Sequence, residues 1–260
     1  MCKVISLVNQ KGGVSKTTST INIGVGLVNK GYRVLIIDND PQGSATASLI
    51  VKDPDEIYPT LQEVYRSVIE DFTDYPREEI FIHHEEGVNL IPSNIELSGV
   101  ELALVSTMNR EMVLKNYIES IKSEYDYILI DCSPSLGLLT INALAAADSV
   151  IIPVHASYLS LKGLEQLLCT VYKVRKYLNR NLKIDGILIS MVDKRTRAAR
   201  EIIEFIFDHF GKKEHVFETM IPFSVRAVES SAMGKSIYAY ESDGKLSKAY
   251  RNLVEEVASL

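Results

Sequence analysis

The chain is poor in the residues that staple or break structure. Its 260 residues include only 3 Cys, 8 Pro and 14 Gly. That is too few for a disulfide scaffold, a collagen-like repeat or a Pro/Gly-rich disordered chain. Long hydrophobic runs are missing too: those at 143–147 and 150–154 are far too short to span a bilayer. The apolar stretch near the start ends at Asn9-Gln10-Lys11 and does not read as a secretory signal. A cytoplasmic setting with reduced thiols is the expectation. Cys2, Cys132 and Cys169 form no CxxC pair and read as structural or incidental thiols rather than metal ligands. There is no internal repeat and no low-complexity tract.

What remains is the balance of an ordinary globular protein, 46% hydrophobic and 24% charged, long enough for a sizeable core. The net charge of −6 argues against a protein that coats nucleic acid all over. The charge is unevenly spread. Residues 1–160 carry 11 Lys/Arg against 21 Asp/Glu, and residues 161–260 carry 17 against 13. The basic second half offers a local anion-binding face.

Hydrophobic patterning predicts a βαβ opening: a strand at 3–8, a Gly-containing turn, a helix at 16–30 and a β-branched strand at 33–37. Further strands are expected at 88–91, 127–130, 149–154, 184–191 and 216–221. Helices are expected at 99–122, 138–146, 160–179, 196–210 and 245–258. Fully apolar strands alternating with helices define an α/β fold: one doubly wound, mostly parallel sheet with helices on both faces. Such sheets bind ligands at the carboxyl ends of their strands. The acidic stretch 52–86, with Pro54, Pro59 and Pro76, reads as an insertion within a single domain of residues 1–260.

The first loop, Asn9-Gln10-Lys11-Gly12-Gly13-Val14-Ser15-Lys16-Thr17-Thr18, lies between a strand and a helix. Such a loop aims backbone N–H groups at an anion, and the helix dipole reinforces them. Lys16 is placed to reach the β- and γ-phosphates of a nucleotide, and the Thr17 hydroxyl to coordinate Mg²⁺. The ordinary phosphate-loop pattern fails at both glycines, where Gln10 and Ser15 stand. After the second strand come Asp38-Asn39-Asp40-Pro41-Gln42-Gly43, two carboxylates that face the same way in extended chain. Beside a triphosphate they position Mg²⁺ and orient an attacking water. The apolar strand at 127–130 delivers one more carboxylate, Asp131, to the metal's water shell. Cys132 beside it reads as a neighbour, not a nucleophile.

These strings resemble the deviant Walker A ATPases of the ParA/MinD family. In that family a lysine at the Lys11 position reaches across a nucleotide-sandwich dimer to the partner's ATP. The resemblance implies ATP/ADP and Mg²⁺ as cofactors, bound through Lys11, Gly12, Gly13, Val14, Ser15, Lys16, Thr17 and Thr18. It implies that Asp40 orients the hydrolytic water while Asp38 and Asp131 support the metal. Ser15 departs from the family glycine; in a left-handed conformation it costs about 1 kcal/mol or more. Asp131-Cys132-Ser133-Pro134-Ser135-Leu136-Gly137 follows a family pattern with Ser133 in place of a proline.

The similarity continues through Pro92–Leu97, 157–164, 191–196 and Ile221-Pro222-Phe223 to Arg226, and assigns Pro222 and Phe223 to an adenine pocket. Basic residues group as Lys173, Arg175, Lys176, Arg180 and Lys183, then Lys194, Arg195, Arg197 and Arg200, with Arg226 and Lys235 beyond. Members of the family bind DNA non-specifically as ATP-bound dimers, and the resemblance points to Arg195, Arg197 and Arg226. The phosphate loop begins near residue 9 and leaves no room before it for a helix-turn-helix domain, so operator reading is not expected. The resemblance thus implies a prokaryotic, nucleoid-associated partition ATPase that dimerises on ATP and is released from DNA by a ParB-like partner.

A MinD-like membrane-cycling ATPase is the alternative, and it requires a basic amphipathic C-terminal helix. Residues 246–260 contain Glu255 and Glu256 and do not make a convincing anchor, so no stable membrane insertion is expected. An electron-transfer ATPase needs cysteines placed to share an iron–sulfur cluster, which these are not. A ligase-like amidase of the same fold lacks a recognisable substrate pocket in the sequence.

Overall fold

The structure, a computed structural model, describes residues 2–51, 53–70, 79–193 and 195–260; Pro76 and Lys194, singled out above, lie outside them. The strands are β1 (Lys3–Leu7), β2 (Val34–Asn39), β3 (Ile82–His83), β4 (Asn89–Ile91), β5 (Tyr127–Cys132), β6 (Ser149–His155) and β7 (Lys183–Ser190). They form one sheet in the order β3-β4-β2-β5-β1-β6-β7. Every neighbouring pair is parallel except β3–β4. The expected doubly wound α/β architecture is therefore what the chain adopts.

The central strands β2, β5 and β6 are buried along almost their whole length, with apolar runs through their middles, because both faces are covered. In β2, Leu35 and Ile37 join one core and Val34 and Ile36 the other, all of them buried. One face is packed by α1 (Lys16–Val28), α10 (Ile237–Tyr240) and α11 (Lys245–Ser259). The other is packed by α3 (Leu61–Ile69), α4 (Leu97–Val105), α5 (Val113–Ile121), α6 (Leu138–Ala146), α7 (Tyr158–Tyr177) and α8 (Arg197–His209). Two short helices, α2 (Ser44–Ile50) and α9 (Arg226–Ala232), pack beside the first group. In α1, glycines let the helix sit close to its neighbours. A Cβ at Gly24 would meet Ile36 of β2 at 3.0 Å, and one at Gly26 would meet the Tyr238 hydroxyl and Val254 at 2.6 Å.

Two expectations are corrected. The helix read over 99–122 is broken into α4 and α5. The hydroxyls of Ser106 and Thr107 donate to the Ala103 carbonyl, competing with the helical ladder, and Asn109 adopts φ +52°. The strand read over 216–221 is reduced to isolated bridges, Ile187–Val216 and Val192–Pro222. Between them the amides of Glu218 and Thr219 donate to the Glu256 carboxylate of α11 instead of to a strand.

The acidic stretch carries part of the core. Leu61 and Tyr65 of α3 are fully buried. The helix starts at a Thr60–Glu63 capping box, in which the Thr60 amide donates to Glu63 Oε2 at 3.0 Å. The Tyr65 hydroxyl then donates to Asn39 Oδ1 at 3.2 Å, at the end of β2.

Candidate functional site

The carboxyl ends of β1, β2, β5 and β6 meet at one edge of the sheet, and the loop after β1 lies across it. Asn9 pins the start of that loop. Its amide nitrogen donates to the Pro153 carbonyl at 2.6 Å, and its amide oxygen accepts from the Lys11 backbone at 2.9 Å. Ser190, at the end of β7, pins the other side by donating to the Val14 carbonyl at 2.9 Å. Gly13 has φ +69°, and a Cβ on Gly12 or Gly13 would meet nothing within 4 Å, so the loop presents open backbone. Ser15 adopts φ +64°, ψ +28°, the left-handed conformation that favours the glycine of the family the chain resembles.

Lys16 opens α1 and is buried, its Nζ donating to the Lys11 carbonyl at 3.0 Å. Burial lowers its pKa, and the nearby Asp131 and Asp40 carboxylates oppose that shift. Thr17 donates its hydroxyl to Asp131 at 2.6 Å, and Thr20, one turn on, donates to the other oxygen at 3.1 Å. Asp131 and Asp38 are register partners on β5 and β2, both fully buried. Asp38 accepts from the backbone amide and the hydroxyl of Thr46, at 2.8 and 2.7 Å. Asp40, also buried, accepts from the Gln42 amide at 3.0 Å. Burial first, and mutual repulsion second, push Asp38 up out of the usual carboxylate range. Burial also raises Asp131, against the Thr17 hydrogen bond and Lys16, which lower it.

Three clustered carboxylates beside one ammonium favour a further cation. Hydroxyl and carboxylate oxygens are the donor set that Mg²⁺ takes. Among the described residues no three His, Cys, Asp or Glu side chains converge to hold a metal by themselves. Mg²⁺ here therefore requires phosphate and water oxygens as well, which suits a metal that keeps much of its hydration.

The other expected site residues fall as follows. The amide of Asn22 links the Thr18 carbonyl to the start of α10, through bonds of 2.7 and 2.8 Å. Lys11 runs over α7, its Cε 3.7 Å from where a Gly163 Cβ would stand. Pro222 bridges Val192, and Phe223, exposed, donates its amide to the Val192 carbonyl at 3.2 Å, two residues beyond Ser190. Each of the three arginines assigned to DNA faces a carboxylate: Arg195 with Asp193 at 2.7 Å, Arg197 with Glu201 at 2.7 Å and Arg226 with Glu229 at 2.8 Å. Sequence reasoning missed Thr20, Thr46, Asn39 and Ser190. Only Thr20 carried a signal, its spacing of three from Thr17 placing both hydroxyls on one face of α1.

A doubly wound sheet with this loop, lysine, hydroxyl and strand-end carboxylates defines a deviant P-loop nucleotide-binding protein. The profile of a family described as an AAA domain matches residues 2–184. The sporulation initiation inhibitor protein Soj of Bacillus subtilis is 44% identical, over 100% of this chain and 99% of its own. The chromosome partitioning protein ParA of Myxococcus xanthus is 41% identical, over 98% of this chain and 87% of its own. A cobyrinic acid a,c-diamide synthase from Mycobacterium smegmatis, solved with bound ADP and magnesium, superposes with TM-score 0.86 at 33% identity, covering 99% and 94% of the two chains. The chain belongs to the ParA/Soj family of partition ATPases.

Proposed function

We propose that this protein is an ATP-driven DNA-partition switch. The observation that carries the reading is the 2.6 Å hydrogen bond from Thr17, beside the phosphate-loop lysine, to Asp131, the register partner of Asp38. Lys16 and the amides of the loop hold the β- and γ-phosphates, and Thr17 with Asp131 and Asp38 holds Mg²⁺ and its water shell. The metal supplies charge neutralisation on the phosphate oxygens. Asp40 orients the water that attacks the γ-phosphate. Lys11 acts in trans, closing a homodimer over two nucleotides. Arg195, Arg197 and Arg226 contact DNA phosphates, Pro222 and Phe223 border the adenine, and a ParB-like partner speeds hydrolysis and release. Similarity along nearly the whole chain to a protein named for chromosome partitioning, the Myxococcus xanthus ParA, supports this reading over the amide synthase named in the structural comparison.

The membrane-cycling alternative is not favoured. Leu246, Tyr250, Leu253, Val254 and Val257 of α11 are buried in the core it shares with α1. No described helix is long and apolar enough to cross a membrane. The test is fluorescence anisotropy on a non-specific duplex without nucleotide, with ADP–Mg²⁺ and with ATP–Mg²⁺, at two salt concentrations. Salt-sensitive binding with ATP, absent in Lys16→Gln, is expected. A protein that binds ATP and never binds DNA refutes the mechanism.

A further inference from the structure

The fold sends the two basic groups of the second half to opposite edges of the sheet. Arg195, Arg197 and Arg226 follow the carboxyl ends of the strands, and each is paired with a carboxylate that cancels much of its field. Arg226 has a second acidic neighbour, Glu241, at 3.7 Å. The other group lies at the amino-terminal edge. There, Arg175 from the last turn of α7, Arg180 from the loop after it and Lys183 at the start of β7 line one open cleft of about 760 Å³. Its wall includes Lys3 and Ser149, the first residues of β1 and β6, so it opens at the end of the sheet away from the phosphate loop.

Of the acidic groups of this cleft, Asp185 is taken up in an ion pair and Asp148 is held by a backbone amide. Asp148 accepts from the Val4 amide at 2.8 Å. Asp185 takes the Lys3 ammonium at 2.9 Å and the Ser149 hydroxyl at 2.7 Å. Leu260 also borders it. Arg175, Arg180 and Lys183 are exposed, and among the described residues none of them makes an ion pair. Arg175 only lies over the Tyr172 ring at 5.0 Å. Exposed Lys173 and Lys176 sit on the same helical turns, beside Tyr177, which is 71% exposed and has the Lys176 ammonium 5.1 Å from its ring centroid. The carboxyl end of α7 makes cations favourable there, yet leaves their outward faces unpaired. Unpaired, converging cations without sequence-reading geometry suit a phosphodiester backbone, because each phosphate contact releases a counterion and breaks no existing ion pair.

We infer that the cleft formed by Arg175, Arg180 and Lys183 at the amino-terminal edge is a second DNA-backbone contact surface. The inference rests on the DNA-binding reading above and adds a surface to it. The test is a salt titration of duplex binding with ATP–Mg²⁺, comparing the parent with the Arg175→Gln/Arg180→Gln/Lys183→Gln triple variant. Each phosphate contact contributes roughly 0.9 to the slope of log K against log salt, so the triple variant is expected to flatten it by about 2.7. Affinity is expected to fall at least tenfold, while binding of a fluorescent ATP analogue matches the parent and so reports an intact fold. Arg175→Lys/Arg180→Lys, which keeps the charge, is expected to retain binding. A triple variant with the parent's affinity and slope overturns the second surface. A parent that does not bind DNA with ATP–Mg²⁺ overturns the partition reading itself, and the surface with it.

Discussion

Asp38 and Asp131 stand opposite each other on neighbouring parallel strands, both fully buried, each held by threonine hydroxyls. Two carboxylates so placed cannot both ionise cheaply without a cation. Their raised pKa values mean that the folded chain keeps its protons to a higher pH than the unfolded chain does.

Protonation therefore favours the native state. Without nucleotide and Mg²⁺, the contribution of the pair is expected to destabilise the fold as pH rises from about 4, the ordinary carboxylate value, toward neutrality and beyond. Asp38→Asn is expected to raise the melting temperature of the nucleotide-free protein at pH 8 and to flatten this dependence. Thermal unfolding across pH 5 to 8 checks it, and an Asp38→Asn profile as steep as the parent's contradicts it.

Ser15 carries a left-handed backbone and offers no side-chain hydrogen bond as the cap of α1. Ser15→Gly is expected to stabilise the protein by about 1 kcal/mol in denaturant unfolding. Because Ser15 shapes the phosphate loop, ATPase kcat or KM is expected to shift as well. Kinetics indistinguishable from the parent's would show that the loop absorbs the strain without cost to turnover.

Among the described residues the buried Tyr238 hydroxyl has no hydrogen-bond partner, and it lies 2.6 Å from where a Gly26 Cβ would stand. Gly26→Ala is expected to cost about 1–3 kcal/mol through overpacking. Tyr238→Phe removes an unsatisfied polar atom and is expected to be neutral or stabilising. The double variant is expected to recover part of the loss, which a double-mutant cycle measures directly.

Asn39 sits between Asp38 and Asp40, donates to the Leu139 carbonyl of α6 at 2.9 Å and accepts from Tyr65 of α3. Asn39→Ala leaves the buried Tyr65 hydroxyl without its partner, while the Leu139 carbonyl keeps its place in the α6 ladder, and is expected to cost roughly 1–3 kcal/mol. Tyr65→Phe is expected to cost about 1 kcal/mol alone and almost nothing in the Asn39→Ala background. Additive losses in urea unfolding would show that the two residues act separately.

The phosphate loop, the paired aspartates and Asp131 were legible because each is a short string at a strand end, where backbone geometry alone sets the direction of the side chains. The parallel sheet was legible because two buried faces demand unbroken apolar runs such as 34–37. The segment at 216–221 was misread for the converse reason. Its residues suit a strand, but Glu256, from a helix distant in sequence, takes two of its amides. The break at 106–112 turns on hydroxyls competing for one carbonyl, an effect too local for periodicity to register.

By itself, then, the sequence determined the central parallel strands, the longer helices that cover them and the place of the candidate nucleotide site at their carboxyl edge, because those follow from local patterns. Only the tertiary structure decided that Thr46 braces Asp38 and that α3 reaches Asn39. It alone separated the basic residues into carboxylate-paired arginines at one edge and unpaired cations at the other. Charge counted along the chain is blind to this, because a cation's field depends on which carboxylates the folded chain brings beside it.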